Sequence, residues 1–371
     1  MVDLYRQHQP IQAEIEESIQ KVIQSATFIN GSQVKEFVEK LASFLNIKFI
    51  IPCGNGTDAL QIALMSLNLE EGDEILLPAF NYVAAAEVIL LLKLKPVFVD
   101  VDLDTFNICT AAIEEKISTR TKVLIPTHLF GQMADMDAIM NLAAKYKLFV
   151  LEDAAQSLGA TYTFPSGKRV YAGTVGDIGI TSFFPSKNLG CMGDGGAIFT
   201  NNPEIAERAS QIANHGQKIK YVYNRIGINS RLDSIQAAVL NVKLSYFGSY
   251  LEGRKRAGQQ YMELLSAGNL ILPVLAGNRV HVFNQFTVKV DAAIRDELRA
   301  FLAKKGVPSM VYYPSPLHYH APYKKYFSGS LVNSEKLCSQ VLSLPIYPEI
   351  DAGLQEYIAA ILLQGLNELA F

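Results

Sequence analysis

Apolar and polar positions follow two alternating patterns over the first two thirds of the chain. Between about residue 48 and residue 201, short β-branched apolar runs recur: "KFIIPC", "DEILLPA", "KPVFVDV", "TKVLIPTH", "KLFVLED", "DIGITSFF" and "GGAIFTN". Runs of this length, bounded by turn residues, predict buried strands. Stretches such as "GTDALQIALMSLNL" and "MDAIMNLAAKYK" lie between the early ones and carry apolar residues at helical spacing. Strands alternating with helices predict an α/β layer sandwich around a mainly parallel sheet, with ligands at the carboxyl ends of the strands. The last two runs are joined too tightly for a helical crossover, so at least one antiparallel pairing is expected there.

From "RLDSIQAAVLNVKLSYFGSYLEGRKRAGQQYMELL" onward the pattern predicts one long amphipathic helix. A smaller α+β tail follows, with strand candidates "NQFTVKV" and "SMVYY" and a helix "DELRAFLAKKG". This division predicts a large unit over 1–245, including an N-terminal helical segment, and a small C-terminal unit over 246–371. The most apolar segment, "YVAAAEVILLLKLKPVFVD", is broken by Glu87, Lys93, Lys95 and Pro96. It reads as a buried helix followed by a strand, not a membrane span.

Composition narrows the function classes. Hydrophobic residues make up 49% and charged residues 19%, enough for a large core. A net charge of −3 without a basic tract gives no support for binding nucleic acid or an anionic membrane. Cys53, Cys109, Cys191 and Cys338 are scattered, with no CxxC pair and no metal-ligand spacing, so reduced thiols and no metal are expected. The start "MVDLYRQHQP" lacks the apolar core of a signal peptide, and a cytoplasmic protein is expected.

Candidate chemistry gathers at the ends of predicted strands. In "CGNGTDAL", Gly54 and Gly56 stand between a strand and a helix whose first turn holds Thr57 and Asp58. Free N–H groups beside a hydroxyl make a phosphate cradle, although an ordinary helix capped by Thr57 or Asp58 explains the same residues. In "FVLEDAAQS" a strand ends on Glu152 and Asp153, with Gln156 following. Asp153 would keep a pyridinium nitrogen protonated; the bland alternative is a cap for the segment starting at Ala154. In "TSFFPSKNLGCMGDGGA", Lys187 lies between the hydroxyls of Ser182 and Ser186 and a run of glycines. A lysine desolvated in such a place has a depressed pKa and serves as Schiff-base nucleophile and proton shuttle; a solvated surface charge is the alternative. Phe80 or Tyr82 of "PAFNYVAAAE" offers a ring for stacking, with core packing the alternative for either.

Together, "GNGTDALQIAL", "EDAAQSLGA", "SFFPSKNLGCMGDGGAIFTN", "HGQ" and "INSRLDSIQAAVL" resemble the DegT/DnrJ family of sugar aminotransferases, fold-type I enzymes that use pyridoxal 5′-phosphate. The likeness runs over nearly the whole chain. It implies a three-layer large domain with a mainly parallel seven-stranded sheet and a smaller α+β domain. By the same resemblance, Lys187 would form the covalent link to the cofactor, Asp153 would meet the pyridinium nitrogen, and Gln156 would lie near the ring hydroxyl. Gly56, Thr57 and Ser182 would hold the phosphate, and Tyr82 would stack on the ring, leaving Phe80 to packing. Asn229, in the "NSR" motif, would reach the phosphate of a neighbouring subunit, which implies a homodimer with shared sites. A closer likeness is to members that aminate UDP-2-acetamido-2-deoxy-3-oxo-glucuronate with glutamate as donor, in surface polysaccharide or O-antigen synthesis. Arg231 would then grip a carboxylate of that sugar or of glutamate, and Tyr313 and His318 of "VYYPSPLHYH" would contact the sugar. Tyr312 stands where the family commonly has histidine. A dTDP-linked 3-keto or 4-keto 6-deoxy sugar is the alternative acceptor, and a catalytically silent sensor or scaffold the alternative class. A sugar dehydratase of the same scaffold carries histidine in place of Lys187, and "GNGTDAL" lacks the full GxGxxG spacing of a dehydrogenase.

Overall fold

All seven apolar runs become strands of one sheet in the computed structural model, which describes residues 1–369: β1 Phe49–Cys53, β2 Glu74–Pro78, β3 Lys95–Val99, β4 Thr121–Leu124, β5 Phe149–Asp153, β6 Ile178–Ser182 and β7 Gly196–Thr200. Their order across the sheet is β1-β7-β6-β5-β4-β2-β3. Neighbours from β6 to β3 pair parallel, whereas β7 pairs antiparallel with both β6 and β1. The 183–195 link contains no helix, so it cannot carry the chain back for a parallel return. Both β2 and β7 are buried along their full length, as a sheet covered on both faces requires.

Helices Gly56–Met65, Ala84–Leu91 and Pro203–Ala213 cover one face, meeting the strands through residues such as Ile62, Val88, Ile89 and Ile212. On the other face, helix Met136–Tyr146 packs Met136, Ile139 and Ala143 under β4 and β5, while helices Ser32–Leu45 and Ser234–Ser245 enclose Phe37, Leu41, Ala237 and Leu240. Among these, each fully buried Leu, Ile, Val, Met or Phe side chain contributes about 1.5–3 kcal/mol.

The predicted long helix is two helices, Ser234–Ser245 and Phe247–Leu264, broken at Tyr246 with φ −99° and ψ 0°. The first is sandwiched against the N-terminal helices. The second runs into the C-terminal part, where Tyr261 packs with Leu298, Leu302 and Leu362. There "NQFTVKV" supplies β8, Phe286–Lys289, which pairs antiparallel with β9, Val341–Leu344. "SMVYY" does not form a strand. It makes one bridge, Met310 to Ser343, because Pro308 and Pro314 on either side lack the N–H that a ladder needs.

The N-terminal segment is tied down by a buried cation. Lys243 is 1% exposed, with its Nζ 3.2 Å from His8 Nε2 and 3.4 Å from Gln7 Oε1. Burial lowers the Lys243 pKa to about 8; Cys191 and Glu349 pull it up and Arg254 pushes it down. Burial, then the charge of Lys243, holds His8 down to about 4. Cys191 is buried, its thiol donating to Phe183 O at 3.0 Å, and burial pushes it up to about 11, so packing is its role. Among the described residues, no helix is long and apolar enough to cross a membrane, and no group of three or more His, Cys, Asp or Glu could hold a metal ion.

Candidate active site

A cavity of about 690 Å³ opens at the carboxyl edge of the parallel strands. It brings together Gly56, Thr57, Tyr82, Asp153, Gln156, Ser182, Lys187 and Tyr313. Loops after β1, β2, β4, β5 and β6 all deliver their residues to this edge because those strands run the same way.

The cradle comes first. Helix Gly56–Met65 is capped by Asn55, not by Thr57 or Asp58: Asn55 Oδ1 accepts from Asp58 N at 2.8 Å. The first-turn N–H groups of Gly56 and Thr57 have no intrahelical acceptor and face the cavity with a positive end. A Cβ on Gly56 would lie 2.8 Å from Ser182 Cβ, so glycine is what lets the helix end approach β6. That space, with the Thr57 and Ser182 hydroxyls beside it, suits a phosphate.

Asp153 closes β5 and is buried. Its Oδ1 accepts from Ala155 N at 3.0 Å, but no helix starts there, so the carboxylate is not a cap. Burial raises its pKa, opposed by the Ala155 N–H, by Lys187, by His128 and by the Thr127 hydroxyl. Thr127 is held in turn by Asn81, whose Nδ2 donates to Thr127 Oγ1 at 2.7 Å while Asn81 Oδ1 accepts from Tyr82 N at 2.8 Å. The adjacent Glu152 is fully buried and points the other way. It accepts from Gly173 N, Val175 N and Gly176 N at 3.0, 2.6 and 2.7 Å. His128 completes the set: its Nδ1 accepts from Ala134 N, so Nε2 carries the proton and donates to Glu152 Oε2 at 2.9 Å.

Lys187 sits in the turn after β6, its N–H bonded to Phe184 O at 2.9 Å. Burial lowers its pKa, and Asp153 pulls it back up. The two side chains sense each other across the cavity, yet among the described residues Lys187 makes no ion pair. A depressed ammonium and a raised carboxylate, apart but facing one cavity, suit a ring lying between them.

Gln156 is anchored by Phe130 N, which donates to its Oε1 at 2.9 Å, and its Nε2 donates to Tyr313 Oη at 3.0 Å. Tyr82 is exposed, its ring centroid 6.3 Å from that of Tyr313, whereas Phe80 is buried against Phe106 and Phe130.

Three candidate residues lie elsewhere. Asn229 is exposed and bridges Asn214. Arg231 lines a second hollow of about 380 Å³ with Glu207, Gln211 and Lys218. His318 is 3% exposed, packed against Phe98 and Phe327, with Nε2 3.4 Å from Glu335 Oε1; it faces a core and not the main cavity. Conversely, Asn55, Asn81, Thr127, Asp194 and Gln285 line the main cavity without having been singled out from the sequence. Asn81 and Thr127 each follow a strand by a few residues, which was the available signal.

The family model of the DegT/DnrJ/EryC1/StrS aminotransferases matches residues 9–363. The chain is 43% identical over 361 residues to the UDP-2-acetamido-2-deoxy-3-oxo-D-glucuronate aminotransferase of Pseudomonas aeruginosa, covering 97% of this chain and 98% of that one. It is also 43% identical over 363 residues to a pleiotropic regulatory protein of Geobacillus stearothermophilus, covering 96% of each. The solved structure of DesV from S. venezuelae, in complex with a ketimine intermediate, superposes with a TM-score of 0.93 at 35% identity, covering 98% of this chain and 97% of that one.

Proposed function

The chain belongs to the DegT/DnrJ/EryC1/StrS aminotransferase family, and from that premise we propose that it moves an amino group from glutamate to a keto nucleotide sugar, a UDP-linked 3-keto sugar of the 2-acetamido-3-oxo-glucuronate type. The observation that carries this reading is the meeting of Lys187 and Asp153 in one cavity, with no ion pair to either among the described residues, between a helix N-terminus and Gln156.

Pyridoxal 5′-phosphate is the cofactor that these residues fit, and when bound it supplies an electron sink and carries the amino group between the two half-reactions. Gly56, Thr57 and Ser182 would hold its phosphate, Tyr82 would stack on the ring, and Asp153 would keep the ring nitrogen protonated. Lys187 Nζ would be the covalent anchor. Burial lowers its pKa, which favours the neutral amine that can take the Cα proton of glutamate as a base. In the second half-reaction Lys187 runs the same proton transfer in reverse, toward the sugar carbon.

Asn229, exposed and outside its own cavity, supports a homodimer in which each copy completes the other's phosphate site. The sugar class rests on the Pseudomonas aeruginosa relative; a dTDP-linked 3-keto or 4-keto 6-deoxy sugar is the other acceptor to be tested. A regulatory role without turnover is the second reading, favoured by the name of the Geobacillus stearothermophilus relative.

One experiment separates them. The purified protein is reconstituted with pyridoxal phosphate, its visible absorption is followed on adding glutamate, and a panel of keto nucleotide sugars is then supplied. Loss of the band with glutamate and its return with one sugar, both abolished in Lys187→Ala, is the expected result. A band that no amino donor changes would favour the regulatory reading.

A further inference from the structure

Gln156 and Tyr313 form a hydrogen-bond chain whose direction can be read atom by atom. Phe130 N–H can only donate, so Gln156 Oε1 is its acceptor and the amide nitrogen must face the other way. That nitrogen donates to Tyr313 Oη at 3.0 Å. Having accepted there, the tyrosine hydroxyl keeps one proton to give. Its ring is held in place by Phe80 and Tyr82, with centroids at 6.0 and 6.3 Å. The groups that face this hydroxyl are Asp153 at the end of β5, Tyr82 after β2, its neighbour Tyr312 and, across the cavity, Lys187. Burial raises the Tyr313 pKa well above the usual phenol range, so the proton stays on through the neutral range.

The tether also fixes depth. Gln156 is 6% exposed and three residues beyond Asp153, on the buried side of the cavity, whereas the exposed side chain of Phe184 lines its open side. A hydroxyl held to Gln156 therefore gives its proton on the buried side, where the cofactor ring belongs. We infer that Tyr313, steered by Gln156, is a hydrogen-bond donor to the ring oxygen of the cofactor and not a contact for the sugar. The inference rests on the reading of Lys187 as the cofactor's anchor. The Tyr313 hydroxyl on that oxygen stabilises its negative charge and thereby helps to set the pH at which the lysine-bound nitrogen loses its proton.

The test compares holoenzyme and Tyr313→Phe by titrating the visible absorption of the bound cofactor, without substrate, and by measuring cofactor release on dialysis. The midpoint should rise by about one pH unit, the size expected for losing one hydrogen bond to a charged oxygen. Release should quicken, and the KM for the keto sugar should stay within about twofold. In a Gln156→Leu background the same substitution should move the midpoint less, because the donor is no longer aimed. An unmoved midpoint with a raised sugar KM would assign the hydroxyl to the sugar and overturn the inference. If borohydride traps no cofactor on Lys187 in the unmodified protein, the underlying reading fails first, and the inference with it.

Discussion

Ser230 Oγ donates a 2.6 Å hydrogen bond to Asp58 Oδ2 and accepts one of 2.8 Å from Gly54 N. This clasp joins the "GNGTD" and "NSR" segments, far apart in sequence; its neighbours Asn229 and Arg231 do not line the main cavity. Ser230→Ala strands a buried-side N–H and a carboxylate. It should lower stability by about 1–3 kcal/mol and speed cofactor release. Equilibrium denaturation and dialysis with absorbance would measure both; if neither changes, the clasp is incidental.

Gly56→Ala strains the cradle itself. Its Cβ would stand 2.8 Å from Ser182 Cβ, so the helix end and β6 must part. Overpacking of this kind costs about 1–3 kcal/mol, and the unfolding midpoint of the cofactor-free protein should fall with it. Cofactor affinity should fall at least about tenfold, equivalent to about 1.4 kcal/mol. Fluorescence titration with pyridoxal phosphate is the direct check.

Glu152→Gln tests the pivot beneath Asp153. A carboxylate accepts from three backbone N–H groups and His128 at once, whereas an amide must turn two N–H donors toward them. Stability should drop by about 2–4 kcal/mol, seen in denaturant unfolding, because buried donors lose their acceptor. Because residues 173–176 lead directly into β6, cofactor retention should suffer as well. A variant as stable as the parent would show that the turn does not depend on this carboxylate.

Acid sensitivity should trace to His8. Its folded-state pKa is lowered from 6.5 to about 4, by burial and by Lys243. A group depressed on folding contributes stability that is complete above the unfolded value, here 6.5, and is lost as pH falls toward 4. Relative to His8→Asn, the parent protein should therefore lose on the order of 1–2 kcal/mol across that window, His8 being partly solvated. Urea denaturation at several pH values would reveal it. Curves that stay parallel through the window would exclude His8 as the source.

All seven sheet strands were legible as apolar runs because buried strands tolerate few polar residues. The two segments that misled did so for local reasons. The "RLDSIQ…MELL" stretch keeps a helical pattern through Tyr246, yet the chain changes its packing partners there and the helix breaks. "SMVYY" has strand composition, but its flanking prolines leave a single bridge. For the site, Lys187, Asp153 and Gln156 stood out because charged or amide groups at strand ends contrast with their surroundings. Asn55 was hidden behind Thr57 and Asp58, since composition does not reveal which of three polar neighbours turns back to cap. His318 shows the converse: an isolated histidine in a promising loop faces inward, because Phe98 and Phe327 offer it a packed aromatic bed.

The reversed strand β7 has one last consequence. Because it runs against β6, the 183–195 segment leaves and re-enters the sheet at the same edge, where Ser182 and Gly196 are paired in register. Lys187 thus sits on a loop with both feet on adjacent strands. Phe184, Ser186 and Asp194 of this loop line the cavity and lie outside the paired residues of the ladder. Under the proposed function, the wall facing the sugar can therefore be altered while the sheet that carries Lys187 stays as it is.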